Sequence, residues 1–469
     1  KKVASYLEQA RVKLPARLQT YNFVHQLGLE NIFSASFLDE VDVDKPVEQL
    51  KERYGALLLV DEAHVEQARA LMAHCGFCKH LIFIGEGATP DGFLDYETLL
   101  ADASPDVQAN RAGNDLAALF YTGGTTGRSK GVMLSHANLH ANSVGAVAAY
   151  KLPRGQSFLT SAPIFHLAAG ARVYALALAN NHAVLMQNFD PKEAQRLIEA
   201  YRVNDGMLVP SMLNMVFNSP EFGKFDLSSL RRITYGAAPM SLPLLRQVMA
   251  AWPDVDFYQG YGATETGPLI STLQPEAHDP DGPLVDKLTS VGRPVDYCDV
   301  RVVAPDGSEC ATGVVGEVTV RGPNVMLGYW NMPEKTAEVM VDGHYHTGDG
   351  GYFDADGYLF LVDRIKDMIV SGGENVYCGE VENAISAPPA VKDCAVIGVP
   401  HALWGEAVHA VVVLKDGHSV KAEDLIAQCR ARIARYKCPK TISFIERMPL
   451  SAANKVLKTT LREMYGGAK

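Results

Sequence analysis

Eleven residues from Tyr121 to Gly131, Y-T-G-G-T-T-G-R-S-K-G, hold four glycines, three threonines, a serine and two cations. Glycines let backbone N–H groups approach an anion closely, and hydroxyls add donors. Arg128 and Lys130 supply counter-charge, so the chemistry this composition suits is the holding of phosphate groups. It is not a Walker loop, because Gly127 is followed by Arg128 where that motif requires lysine, and no G-x-G-x-x-G fingerprint occurs here. The apolar run Leu116 to Phe120 reads as a buried strand feeding the loop. A helix expected to start near Ser135 and His136 would aim its N-terminus at the same anion.

A loop of this kind needs a scaffold, and the chain has 469 residues, enough for at least two domains. Its 47% hydrophobic and 21% charged residues are those of an ordinary globular protein. The net charge of -11 argues against nucleic acid and anionic membranes as partners, so an anionic ligand must be held by local cations or a metal. Eight cysteines in so long a chain form no disulfide framework, which points to a reducing compartment. No apolar run reaches the roughly 18 residues of a membrane span; the best, Leu167 to Ala179, is shorter and contains Arg172. The mixed N-terminus does not read as a signal peptide, and a cytoplasmic location is expected. His74-Cys75-Gly76-Phe77-Cys78-Lys79-His80 mimics a metal knuckle, yet no second pair follows at zinc-finger spacing.

Strand-like and helix-like segments alternate through the first two hundred and fifty residues or so. Strands are expected at Ala56 to Val60, Leu81 to Gly85 and near Phe158, Val184, Met207 and Ile233, with helices at Val65 to Ala73, Lys192 to Tyr201 and Pro243 to Ala251. This rhythm predicts an α/β fold, a mostly parallel sheet flanked by helices. From Thr289 to Val362 short strands with Gly and Pro punctuation suggest a small antiparallel barrel-like part, and the last hundred residues return to mixed α and β.

Five further motifs follow in order: Tyr235-Gly236-Ala237-Ala238-Pro239; Tyr258-Gln259-Gly260-Tyr261-Gly262-Ala263-Thr264-Glu265-Thr266; Tyr345-His346-Thr347-Gly348-Asp349 with Asp363-Arg364-Ile365-Lys366-Asp367; Ser371-Gly372-Gly373-Glu374-Asn375-Val376; and Pro449-Leu450-Ser451-Ala452-Ala453-Asn454-Lys455. With the Gly-rich loop they resemble the adenylate-forming (AMP-binding) family, in its acyl-CoA synthetase branch. The likeness covers Ala56 to Tyr465 well and the first fifty-odd residues poorly, so an atypical or truncated start is expected.

The resemblance implies ATP, Mg²⁺ and coenzyme A as cosubstrates and cofactor, with a carboxylic acid activated as acyl-adenylate before transfer to CoA. It places Thr122, Gly123, Gly124, Thr125, Thr126, Gly127 and Lys130 on the phosphates, and Gly236, Ala237, Ala238, Pro239 and Gly262 along the adenine and acyl wall. Tyr261 can stack on adenine, Thr264 can donate to the α-phosphate, and Glu265 can bind the metal. Asp349 would accept the ribose diol beside Arg364, and Lys455 would reach the α-phosphate, with Asn454 standing where the family usually has Gly. A hinge at Lys366 would separate an adenylation domain, 1–365, from a mobile α+β domain, 366–469. Gly372, Gly373, Glu374, Trp404, Arg435 and Lys437 would meet CoA, with a solvated basic face an equal reading of the last two.

No aspartate lies between Ser161 and Gly170, the region that holds a substrate ammonium in amino-acid-activating members. A fatty or aryl acid is therefore expected; the resemblance implies that His166 gates its pocket, which Met207, Val209, Met212, Ala237, Ala238 and Gly262 would line. The alternatives are a stand-alone adenylating enzyme that delivers to a carrier protein, a luciferase-like oxygenase and a non-catalytic nucleotide-binding regulator. A homodimer is left open.

Overall fold

The computed structural model describes residues 56–74, 78–103, 111–122, 130–186, 188–238, 240–365, 367–449 and 456–466, and the backbone of 32–34. Lys1–Arg111 and Ala112–Lys469 are two compact units. In the first, a parallel sheet runs in the order β1 (Ile32–Ser34), β2 (Ala56–Val60), β3 (Cys78–Phe83), β4 (Leu94–Asp95), with helices α1 (Val65–His74) and α2 (Tyr96–Asp102). Leu58 and Val60 pack with Ala68 and Leu71 of α1, and Ile82 packs with Tyr96 of α2. Asp95 caps α2 by accepting from the Thr98 amide at 2.7 Å.

The second unit opens with an antiparallel hairpin, β5 (Leu116–Thr122) and β6 (Lys130–Ser135), leading to α3 (His136–Ala149). Thr122 faces Lys130 at the loop end, while Leu116 faces Ser135 at the opposite end. Helix α3 therefore starts about 20 Å from the loop, six residues at about 3.3 Å each, and the expected helix N-terminus aimed at the phosphates is corrected. Val132 and Leu134 explain the intervening strand, since both are fully buried against the core and need an extended backbone to reach it. Ser135 and Asn138 form a reciprocal capping box at the start of α3.

Beyond α3 the expected alternation holds: β7 (Ser157–Thr160), α4 (Leu167–Leu178), β8 (His182–Leu185), α5 (Pro191–Ala200), β9 (Asp205–Met207), α6 (Pro210–Phe217), β10 (Arg232–Gly236), α7 (Leu242–Ala251) and β11 (Asp256–Tyr261). These strands are parallel in the order β11-β10-β9-β7-β8, extended at one edge by antiparallel β12 (Ser271–Leu273) and β13 (Arg293–Pro294). In register, Thr160 lies beside Met207, Met207 beside Thr234, and Gly236 beside Gly260. The carboxyl ends of four parallel strands thus converge where open α/β sheets bind ligands.

An antiparallel sheet follows from β14 (Asp299–Val303), β15 (Gly316–Arg321), β17 (Met340–Val341), β18 (His344–Phe353) and β19 (Leu359–Arg364). The two-residue strand β16 (Gly328–Tyr329), just before α8 (Pro333–Val339), leaves that sheet to pair with β6. The remaining α+β part comprises β20 (Ile369–Ser371), β21 (Glu374–Val376), α9 (Cys378–Ser386), β22 (Val391–His401), β23 (Gly405–Leu414), α10 (Ala422–Arg430), β24 (Thr441–Phe444) and α11 (Lys458–Tyr465). Its two cores, one around Val396, Val408 and Cys429 and one around Ile397, Val411 and Leu461, draw only on residues from 369 onward. Among the described residues no helix is long and apolar enough to cross a membrane.

Candidate active site

Asp349 sits on β18 beside a β-bulge, directly opposite Arg364 of β19. Its Oδ2 accepts from the Tyr261 hydroxyl at 2.8 Å, and its Oδ1 lies 3.1 Å from Nε of Arg364. The Asp349 amide donates to Thr347 Oγ1, whose hydroxyl donates to Val318 O, so the backbone under the carboxylate is held to β15. Burial first, and then the Asp349 charge, push the Tyr261 hydroxyl well above the usual phenol range, leaving it a donor. A carboxylate carries two lone pairs on each oxygen, the acceptor capacity a vicinal diol requires. Tyr261, expected to stack, is therefore also a hydrogen-bond partner of Asp349.

Glu265 lies in the turn Thr264–Thr266, which Thr266 closes by accepting the Ala263 amide at 3.0 Å. The Glu265 side chain is buried, and Oε1 accepts from the Tyr329 hydroxyl at 2.8 Å. Lys130 Nζ stands 4.7 Å from the centroid of the Tyr329 ring, so Tyr329 joins the last cation of the Gly-rich loop to Glu265. Burial, reinforced by the Glu265 charge, keeps the Tyr329 hydroxyl protonated. Tyr329 escapes a reading of the sequence, because nothing there shows that β16 crosses to the hairpin. Among the described residues no group of three or more His, Cys, Asp or Glu side chains could hold a metal. One carboxylate nevertheless suits Mg²⁺, which keeps several waters and takes further oxygens from substrate phosphates.

A cavity of about 560 Å³, counting its open mouth, is lined by strand ends and by α3 and α4. Met207, Gly236, Ala237, Tyr261 and Gly262 are on its wall. The backbones approach closely here. A Cβ on Gly236 would stand 2.2 Å from Gly260 O, and one on Gly262 would stand 1.7 Å from Pro268 O. Ala237 adopts φ 63, a left-handed conformation that side chains rarely take.

Other expected acyl-pocket residues are elsewhere. Met212 and Val209 pack in the core under the parallel sheet, because α6 turns that face inward, and Met212 Sδ lies 3.8 Å from Ser161 Oγ. His166 is the N-cap of α4, with its ring 4.5 Å from that of Phe165, and neither His166 nor Ala238 is on the cavity wall. In their place stand Asn142, Tyr150, Arg172 and Thr234, none of which belongs to a sequence motif. Their only sequence signal is Arg172 interrupting an otherwise apolar helix.

In the C-terminal part, Gly372 and Gly373 take φ +64 and +86 at the β20–β21 turn ahead of Glu374, and the Gly372 amide donates to Trp404 O at 2.9 Å. The Trp404 ring stacks on His401 at 4.1 Å and carries Lys440 Nζ at 4.9 Å, two neighbours that no motif marks. Arg435 is exposed. Lys437 is not free for a phosphate, because its ammonium is bound by both oxygens of Glu380 at 2.6 and 2.8 Å. Residues 123–129, Pro239, Lys366 and Lys455 lie outside the described residues.

The AMP-binding enzyme family model matches residues 47–330, and the AMP-binding enzyme C-terminal domain model matches 380–455. The chain is 41% identical over 378 residues to a feruloyl-CoA synthase of Amycolatopsis sp, covering 80% of this chain and 74% of that protein. It is 37% identical over 380 residues to an indoleacetate–CoA ligase of Aromatoleum aromaticum, covering 80% and 73%. Among solved structures, the O-succinylbenzoate coenzyme A synthetase MenE of Bacillus subtilis, in complex with ATP and magnesium ion, superposes with a TM-score of 0.75 at 29% identity, covering 90% of this chain and 82% of that one. The chain belongs to the AMP-binding enzyme family.

Proposed function

We propose that this enzyme, an AMP-forming acyl-CoA synthetase that uses ATP, Mg²⁺ and CoA, takes an aryl carboxylic acid. The observation that carries this reading is the cavity at the strand ends, whose wall includes Tyr261, the hydrogen-bond donor to Asp349 of the Asp349–Arg364 pair. Its small-residue walls suit a flat group, and relatives named for feruloyl and indoleacetyl acids support an aryl rather than a fatty chain. The acid's carboxylate attacks the α-phosphate of ATP and releases pyrophosphate; the CoA thiol then attacks the acyl carbon and AMP leaves.

The chain contributes position and charge. Thr122 to Lys130 hold the outer phosphates, Thr264 donates to the α-phosphate, and Asp349 with Arg364 fixes the ribose. Glu265 would hold Mg²⁺, which supplies charge neutralisation along the phosphates. Lys455 stabilises the negative charge that develops in the first step. The two cores that form only from residue 369 onward support a boundary near Lys366, about which the 366–469 domain turns to bring Gly372 and Gly373 to the acyl group. The six cysteines from Cys298 to Cys438, all described, are free thiols, which supports a cytoplasmic location.

Pyrophosphate release measured over a panel of aryl, medium-chain fatty and proteinogenic amino acids tests the substrate class. Aryl acids are expected to turn over fastest. An amino acid that outpaces all of them would overturn the reading.

A further inference from the structure

The inner end of the cavity is polar. Arg172 of α4 and Thr234 of β10 both line it, at 5% and 2% exposure, and neither Arg172 Nη1 nor Thr234 Oγ1 has a hydrogen-bond partner among the described residues. The guanidinium is held in place by two aromatic faces, with its carbon 4.4 Å from the centroid of Tyr150 and 5.4 Å from that of Phe158. Buried donors are nearly always satisfied, and a buried charged donor left without a partner is costly. Two such groups on the wall of a ligand cavity call for a ligand atom that accepts hydrogen bonds.

The surrounding charges give the sign. Asp205 is the buried carboxylate of this region, and neither of its oxygens has a hydrogen bond that meets ordinary geometry. It feels Arg172 and Arg232 together. Arg232 is turned away, donating to Tyr150 O at 2.8 Å and Lys151 O at 2.9 Å. Among the described residues lining the cavity Arg172 alone is charged, so the wall presents a guanidinium, which repels a substrate ammonium and attracts an oxygen.

We propose that Arg172 and Thr234 determine specificity by binding an acceptor oxygen at the end of the acid remote from its reacting carboxylate. The substrate class is then an aryl acid whose ring carries a hydroxyl or a second carboxylate at its far position. This rests on the acid-activating reading above and narrows it. The oxygen takes hydrogen bonds from Arg172 and from the Thr234 hydroxyl, and an apolar group in the same place leaves both donors buried and unpaired. Sites built to hydrogen-bond a substrate oxygen reject analogues lacking it far more strongly than apolar pockets reject a methylene.

The test compares kcat/KM for pyrophosphate release on three acids of one scaffold: 3-phenylpropenoic acid carrying 4-hydroxyl, 4-carboxyl or 4-methyl. The parent enzyme is expected to favour at least one oxygenated acid over the methyl acid by about tenfold or more, and the winner tells a neutral from an anionic oxygen. Arg172→Met, and separately Thr234→Val, should bring that ratio towards one; because the ratio is read within one protein, a general loss of activity cancels. Arg172→Met combined with Asp205→Asn removes both charges and serves if the single variant fails to fold. A parent ratio of one or less overturns the proposal without any variant, as does an unchanged ratio in folded Arg172→Met. If no acid of any kind releases pyrophosphate, it is the acid-activating reading that fails.

Discussion

The Tyr261 hydroxyl meets the Asp349 carboxylate at 2.8 Å across 88 residues of chain, joining the end of a parallel strand to a bulged antiparallel one. With Arg364 3.1 Å away on the other carboxylate oxygen, Asp349 is oriented from both sides.

That orientation predicts the result of Asp349→Asn. The amide keeps the shape and loses the charge, and hydrogen bonds to a charged group contribute about 1.5–3 kcal/mol each. The KM for ATP in pyrophosphate release is expected to rise about tenfold or more, with the melting temperature little changed. An unaltered KM would remove Asp349 from the nucleotide site.

The Glu265–Tyr329 bond predicts a metal effect. Glu265→Gln should shift the Mg²⁺ dependence of adenylation to higher concentration and lower its maximum by about 10². Tyr329→Phe should shift the same curve less, since the carboxylate remains while its 2.8 Å donor is lost. Superimposable Mg²⁺ titrations for parent and Glu265→Gln would contradict the metal role.

Lys455→Ala should slow adenylation by about 10²–10³, the usual loss for one preorganised cation, and spare CoA transfer from preformed acyl-adenylate. Single-turnover assays of each half-reaction read this directly. Equal loss in both would show that Lys455 serves some other purpose.

Asp205 gives a prediction in pH. Burial raises its pKa from 3.8 to about 6, against the pull of Arg172 and Arg232. The folded state therefore holds this proton more tightly than the unfolded chain does. Its stabilising contribution is complete below pH 3.8 and is lost as pH rises through about 6. Asp205→Asn removes that component, so its stability relative to the parent should climb by about 2 kcal/mol between pH 4 and 6.5, since each tenfold difference in proton affinity is worth about 1.4 kcal/mol. Denaturant unfolding at four pH values tests this, and a flat difference would contradict it.

Alternation and motif order make most of the fold legible: Ala56–Val60 is a strand with the expected bounds, and Leu242–Ala251 is a helix within a residue of its expected start. The hairpin return Lys130–Ser135 is not legible, because six residues after a glycine loop look the same whether they pair backwards or lead into a helix. Site residues close together in sequence, such as Thr264 and Glu265, are visible as a pattern. Tyr329, Tyr150 and Thr234 are not, since each reaches the site through a strand pairing or helix packing that no local spacing encodes. Met212 misleads for the opposite reason: its apolar neighbours mark a buried face equally well for a core as for a pocket.

The central claim is tested most directly by mass spectrometry of one reaction containing enzyme, Mg·ATP, CoA and a 4-oxygenated aryl acid. The account predicts acyl-CoA and AMP in equal amounts, with acyl-adenylate accumulating when CoA is left out. ADP and phosphate in place of AMP, or AMP formed with no thioester when CoA is present, would contradict it.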